Sequence, residues 1–374
     1  MTPDEPTRLR ARDHGVPFDG TPGAHNAITD VPGVEVGYAT LVEGEGPLVV
    51  GEGPVRTGVT AILPRGRSGV GVSCAAGFHS LNGNGEMTGT VWLAESGALS
   101  LPIGITNTHA VGAVHRGILS WSMDANPALR NRWHLPVVAE TWDGYLNDVD
   151  GEHVTVDHAR AALEAAGGGP IAEGSVGGGT GMSCYGFKGG TGTSSRLVEV
   201  GGTTYTVGVL MQANFGAREE LTIAGRHLGP QLADDNPMAT TDWLAPAGAG
   251  SCITVVATDA PLLPQQCQAL ARRVPLGLAR TGTTGSHFSG DVFLAFSTAN
   301  PGELDSLLVE DRESVGRLEF LRWGLLDPLY AAVVQAVEEA VVNVLAASTT
   351  MVGRDGHRSP GFPVDVLRWL SPQS

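Results

Sequence analysis

At 374 residues, 42% of them hydrophobic, the chain is long enough to bury a sizeable core, as one large domain or two ordinary ones, and too apolar to be disordered. Its 23 basic and 39 acidic side chains leave a net charge of −16, which repels phosphate backbones and anionic lipid and argues against nucleic acid or a membrane surface as main partner. Cys74, Cys184, Cys252 and Cys267 form neither a CxxC nor a Cys/His cluster of zinc spacing, so they read as small buried residues in a reducing compartment.

Met1 to Phe18 is polar and lacks the apolar core of a signal peptide, and no stretch approaches the apolar length of a membrane span. A soluble cytoplasmic protein without metal or cofactor is expected. Glycine, at 53 residues, implies many tight turns and close backbone approaches, as in a strand-rich fold.

In chain order, Asn26 to Leu41 alternates about Val31-Pro32-Gly33 as a hairpin would, and Val55 to Leu63 reads as a strand. The glycine-rich segment Gly69 to Gly89 holds His79 to Glu86, polar residues between glycines that suit turns or a pocket wall. Pro102 to Asn107 is a strand, and Thr108 N-caps a helix to Met123. The strand Pro136 to Ala139 delivers Glu140, Trp142, Asp143 and Tyr145 at its end, and a helix runs from Asp157 to Ala166. Glycines crowd Glu173 to Ser195, but Lys188 lies between Phe187 and Gly189, which fails the spacing of a phosphate-binding loop; strand connections or a pocket wall fit better.

Arg196 to Val200 and Tyr205 to Gln212 are strands, the second placing Asn214 just past its end. Residues Arg218 to Trp243 are irregular and Ala245 to Gly250 reads as an exposed linker. Ser251 opens the buried strand Ile253 to Thr258, followed by a helix from Asp259 to about Arg280 that Pro275 should kink or end early, a turn-rich loop, the strand Asp291 to Ser297, and a buried helix from Leu329 to Ala347 behind Asp327-Pro328. The pattern suggests layered sheets covered by helices.

The Gly250-Ser251 junction carries the chemistry. Cutting that bond would give Ser251 a hydroxyl nucleophile and an α-amine with a reference pKa of about 7.7 to 8.0, able to act as its own general base. With Asn214, Tyr145, Glu140, Ser289 and Asp291, it forms a set able to supply nucleophile, proton acceptor, oxyanion donors and substrate recognition. The sequence around Ser251 is not a GxSxG elbow, and no histidine stands out as a triad partner, which favours the self-base mechanism.

The chain resembles the family of L-aminopeptidase D-amidase/esterases and β-peptidyl aminopeptidases, self-cleaving serine hydrolases of the N-terminal-nucleophile type. The resemblance runs from NAITDVPGVEVG at Asn26 through LNGNGEMTG at Leu81, ITNTHAVG at Ile105, PVVAETWDGYLND at Pro136, EGSVGGGTGM at Glu173, VGVLMQAN at Val207, GSCITVVATDAPL at Gly250 and SGDVFLAFSTANPG at Ser289 to GRDGH at Gly353. It implies an α+β, four-layer αββα sandwich in a single domain, 1–374, cut between Gly250 and Ser251 into associated fragments 1–250 and 251–374. It implies Ser251 as nucleophile, Ser289 and Asp291 as the Ser-Gly-acid pair with Asp in place of Glu, and Asn214 in the oxyanion hole. Glu140 is implied as binder of the substrate amine, with Trp142 or Tyr145 as the functional aromatic. His287-Phe288 departs from the Asn-Gly frequent at that point in the family.

The implied activity is release of N-terminal residues from short peptides, amino-acid amides or esters by a homo-oligomer of processed protomers. An acyltransferase on a related self-processing fold is the nearest rival, although the ornithine acetyltransferases use Thr. A non-catalytic small-molecule binding protein is the rival of a different class.

Overall fold

The computed structural model describes residues 9–241, 248–306 and 315–370. The β-branched runs form strands β1 (Glu35–Glu43), β2 (Val55–Leu63), β3 (Cys74–Ser80), β4 (Ala98–Leu99), β5 (Ile103–Asn107), β6 (Val137–Thr141), β7 (Gly190–Val200), β8 (Thr203–Gly216), β9 (Gly248–Thr258) and β10 (Ser289–Ser297). The helices are α1 (Thr90–Ser96), α2 (Val111–Ala125), α3 (Val156–Glu164), α4 (Pro264–Ala271), α5 (Val274–Arg280) and α6 (Asp327–Ala347). Four strands pair in the order β1-β2-β5-β6 and six in the order β4-β3-β10-β9-β8-β7. Neighbours are antiparallel except β5 with β6 and β9 with β10.

Side chains alternate across a pleated strand, and here both faces of each sheet are apolar. Ile253, Val255 and Ala257 of β9 meet Ile62, Ile103, Ile105 and Val137 of the smaller sheet. Cys252 and Val256 lie on the other face, in a core shared with Cys267, Leu270, Val337 and Val341 of α4 and α6. The outer face of the smaller sheet, with Val59, Ala61 and Val138, buries Val114, Ile118 and Trp121 of α2 and Ala159, Ala162 and Leu163 of α3. Three apolar interfaces therefore separate four layers, helices, sheet, sheet and helices, the expected α+β αββα sandwich.

Several local expectations are corrected. Asn26 to Leu41 is not a hairpin: Asp30 accepts the His25 and Ala27 N–H groups at 2.9 and 3.1 Å and the Ser195 hydroxyl at 2.6 Å, and Ile28–Asp30 winds into a helical turn. The hairpin forms one strand later, between β1 and β2. Strand β3 lies inside the segment read only as glycine-rich. The helix expected from Asp259 to Arg280 is two: of the outcomes open at Pro275 the early end holds, α4 closing at Ala271, and Pro275, lacking an N–H, sits in the first turn of α5 rather than kinking a longer helix. Asp259 instead accepts the Thr206 N–H at 2.7 Å.

Helix α6 corrects the reading that no stretch approaches a membrane span, since it is long and apolar enough by length and composition. It is nonetheless mostly buried in the core and carries a charge there. Glu339 accepts Arg12 at 2.8 Å, Arg196 at 2.7 Å and the Asn26 amide at 2.6 Å, joining the N-terminal segment, β7 and α6. Removing one member of a buried pair strands the other, at a cost of about 3–5 kcal/mol. Glu339→Ala should lower stability by that order in denaturant titration, and a loss below about 1 kcal/mol, the worth of an exposed pair, would refute this role.

Candidate active site

Ser251 lies within β9 rather than at its first position; of the expected linker, residues 245–247 lie outside the described residues and 248–250 are strand. Across the antiparallel pair, Ser251 is opposite Asn214 on β8, which puts both side chains on the same face, with Cβ atoms about 4.5–5.5 Å apart by sheet geometry. On the parallel side, Gly250 is level with Ser289, Ser251 with Gly290 and Cys252 with Asp291. Only glycine fits at 250, because a Cβ there would overlap the Asn214 carbonyl oxygen. The Ser251 hydroxyl donates to the Gly250 carbonyl oxygen at 2.5 Å.

Asn214 belongs to β8 rather than following it, and it is buried. Its Oδ1 accepts the Ser183 N–H at 2.9 Å and its Nδ2 donates to the Trp142 carbonyl at 2.9 Å. An amide nitrogen carries two protons, so one remains for a group held beside Ser251.

The Ser289 hydroxyl donates to Asp291 Oδ1 at 2.6 Å, as their i, i+2 spacing on β10 allows. Asn82 grips the acid from the loop after β3. Its Nδ2 donates to Asp291 Oδ2 at 3.2 Å and to the Ser286 carbonyl at 3.0 Å, and its Oδ1 accepts the Asp291 N–H at 2.9 Å. Asn84 donates to the Phe288 carbonyl at 2.8 Å, and Gly290 leaves room for the Asn84 backbone. The polar residues between glycines are thus a latch on the Ser-Gly-Asp turn. Burial raises the Asp291 carboxyl above its usual range, while hydrogen bonds from Ser289, Asn82 and the Cys252 backbone pull it back. Burial first, and Asp291 second, push the Cys252 thiol far up, so it stays protonated and is no second nucleophile.

Glu140 and Trp142 come from the other sheet and the loop after it. Glu140 is a buried residue of β6 paired with Thr106; its Oε1 accepts the Glu86 N–H at 2.9 Å and its Oε2 the Thr108 hydroxyl. Thr108 therefore does not cap α2; it begins a helical turn, Thr108–Ala110, that leads into α2 and is capped by Asn107, which accepts the Ala110 N–H at 2.9 Å. The Trp142 indole folds over Gly144, where a Cβ would strike the ring. Tyr145 is buried, stacked on His357 with centroids 4.9 Å apart and donating to the Arg358 carbonyl at 3.3 Å. Burial raises its phenol. Asp143, pushed up to about 6 by burial, accepts the Asn147 amide at 3.1 Å.

The structure thus brings Ser251, Asn214, Ser289 and Asp291 to adjoining strand positions and links Asn214 to Trp142. Asn82 and Ser183 were not singled out from the sequence. Asn82 stands in LNGNGEMTG and was open to detection there; Ser183 contributes only a backbone N–H, which any residue but proline supplies.

The model of peptidase family S58 matches residues 26–359. The chain belongs to peptidase family S58. It is 50% identical to the β-peptidyl aminopeptidase BapA of Sphingosinicella microcystinivorans, over 96% of this chain and 91% of that protein. Its fold matches the L-aminopeptidase D-Ala-esterase/amidase of Ochrobactrum anthropi, a prototype for the serine aminopeptidases and a variant of the Ntn-hydrolase fold. That match has a TM-score of 0.89 and 45% identity, covering 96% and 97% of the two chains. A β-aminopeptidase of Burkholderia sp. matches with a TM-score of 0.88 and 43% identity, covering 98% and 100%. This S58 chain is accordingly a serine-type hydrolase of the N-terminal-nucleophile type, and the reading as a non-catalytic binding protein is set aside.

Losing the Asn82 donor removes a bond that favours the charged Asp291 carboxylate, so its pKa rises further. If kcat/KM requires that carboxylate ionised, its acid limb should move to higher pH in Asn82→Ala. A pH–rate profile checks this; an unmoved or lowered limb would contradict it.

Proposed function

We propose that the chain cuts itself between Gly250 and Ser251 and then acts as an aminopeptidase and amidase through an acyl-enzyme on Ser251. The observation that carries this reading is the Ser251 hydroxyl lying 2.5 Å from the Gly250 carbonyl oxygen, at a junction where only glycine fits and beside the Asn214 amide. In the precursor, Ser251 Oγ attacks the Gly250 carbonyl carbon, the C–N bond breaks and the hydroxyl proton passes to the departing nitrogen. Water then hydrolyses the ester, leaving a Gly250 carboxylate and a Ser251 with free hydroxyl and α-amine.

In the processed enzyme that amine takes the hydroxyl proton as Ser251 attacks the carbonyl after a substrate's first residue. The second Asn214 proton stabilises the oxyanion, where one well-placed donor contributes about 10²–10³ in rate. Ser289 and Asp291 orient the nucleophile, Glu140 receives the substrate's free amine with Trp142 or Tyr145 as wall, and water releases the acyl group. Short peptides, amino-acid amides and esters fit this chemistry and the names of the relatives. We place the enzyme in the cytoplasm, as a homo-oligomer of processed protomers forming one domain; its buried thiols suit a reducing compartment.

Intact mass and N-terminal sequencing should find two fragments, the smaller beginning Ser251-Cys252-Ile253. Ser251→Ala should remain one chain and lose amide hydrolysis, and an uncut variant that still hydrolyses amides would sink the mechanism. Acyl transfer to an added amine exceeding release to water would favour the acyltransferase instead. Gly250→Ala should accumulate uncut chain, because its Cβ forces β9 away from Asn214; cleavage at the unaltered rate would show that this contact does not matter.

A further inference from the structure

Lys188 has no part in that mechanism, yet its side chain is wholly buried. Its ammonium donates to the carbonyls of Met182 at 2.7 Å, Gly189 at 3.0 Å and Gly179 at 3.4 Å, one for each proton. Ser183, the next residue after Met182, is the register partner of Lys188 in the short strand pair they form. Its N–H is the group that holds Asn214 Oδ1.

The segment 177–182 is buried and packed too closely for side chains at its glycines. A Cβ at Gly178 would overlap the Gln212 side-chain oxygen, and one at Gly181 the Arg56 carbonyl. Such a segment has few side chains with which to fix itself, and its buried carbonyls require donors. Lys188 supplies three from one side chain. Burial lowers its ammonium to about 7, against the favourable influence of Cys184 and of the Asp143 carboxylate.

An Asn amide can sit in either of two flipped orientations. At Asn214 an N–H on one side and a carbonyl on the other select the single orientation that leaves an Nδ2 proton for the site. We propose that Lys188 is a positioning residue for the reaction: by fixing the Gly179 and Met182 carbonyls it holds the Ser183 N–H in place and thereby orients the Asn214 amide. This rests on the reading of Asn214 as oxyanion donor.

The test is a double-mutant cycle of Lys188→Met with Asn214→Ala, measured as kcat and KM for an amino-acid amide per processed protomer, the processed fraction being read by intact mass. Lys188→Met should lower kcat by about 10- to 100-fold, less than the ~10²–10³ for losing a donor outright, with KM within about twofold. The double variant should be no slower than Asn214→Ala alone, since residues acting as one unit are non-additive. Losses that multiply, or a raised KM with kcat kept, would overturn the assignment. If Lys188→Met does not fold, Lys188→Gln enters the same cycle; if neither folds, the lysine is structural and the assignment falls. An Asn214→Ala enzyme of full activity would instead overturn the oxyanion reading beneath it.

Discussion

The site depends on the register of β9 against β8 in a sheet buried on both faces. Because Ile253, Val255 and Ala257 belong to one core and Cys252 and Val256 to another, a one-residue slip would exchange two packed faces and turn Ser251 toward the helices. The register is further pinned where the Gly250 backbone lies against the Asn214 carbonyl. Nucleophile and amide are therefore placed by the packing of the whole sandwich, not by a mobile loop.

Neutral groups tie the two sheets together around that point. Asn214 reaches the Trp142 carbonyl, while Gln212 donates to the Thr141 hydroxyl at 2.7 Å and the Thr106 carbonyl at 3.1 Å. Amides and hydroxyls can be satisfied in an interior at far lower desolvation cost than ions. The ion network around Glu339 lies elsewhere, under the N-terminal segment. Asp291 and Glu140 are thus carboxylates in a largely neutral setting, held by hydrogen-bond donors.

Long apolar strands and the buried final helix were legible in the sequence because burial on both faces leaves continuous apolar runs. Element ends were less so: Glu140, Asn214 and Gly250 each fall inside a strand, although polarity or turn propensity reads as a strand boundary at each. A polar residue in a strand reads as an end unless its partner, here across the sheet or between sheets, is known. Ser251, Ser289 and Asp291 stood out by residue type and resemblance. Ser183 carried no such signal, and Lys188 was visible only as a failed phosphate-loop lysine, since the three carbonyls that justify its burial are backbone groups.

The segment after β3 reaches both sheets: Asn82 grips Asp291 on β10, and four residues later the Glu86 N–H grips Glu140 on β6, while the Thr88 N–H donates to the Val138 carbonyl at 2.9 Å. On the proposed roles, this short span is a ruler between the anchor for a substrate's amine and the groups that serve its carbonyl. A residue gained or lost within it would rescale the length of substrate backbone the enzyme accepts, with both sheets left intact.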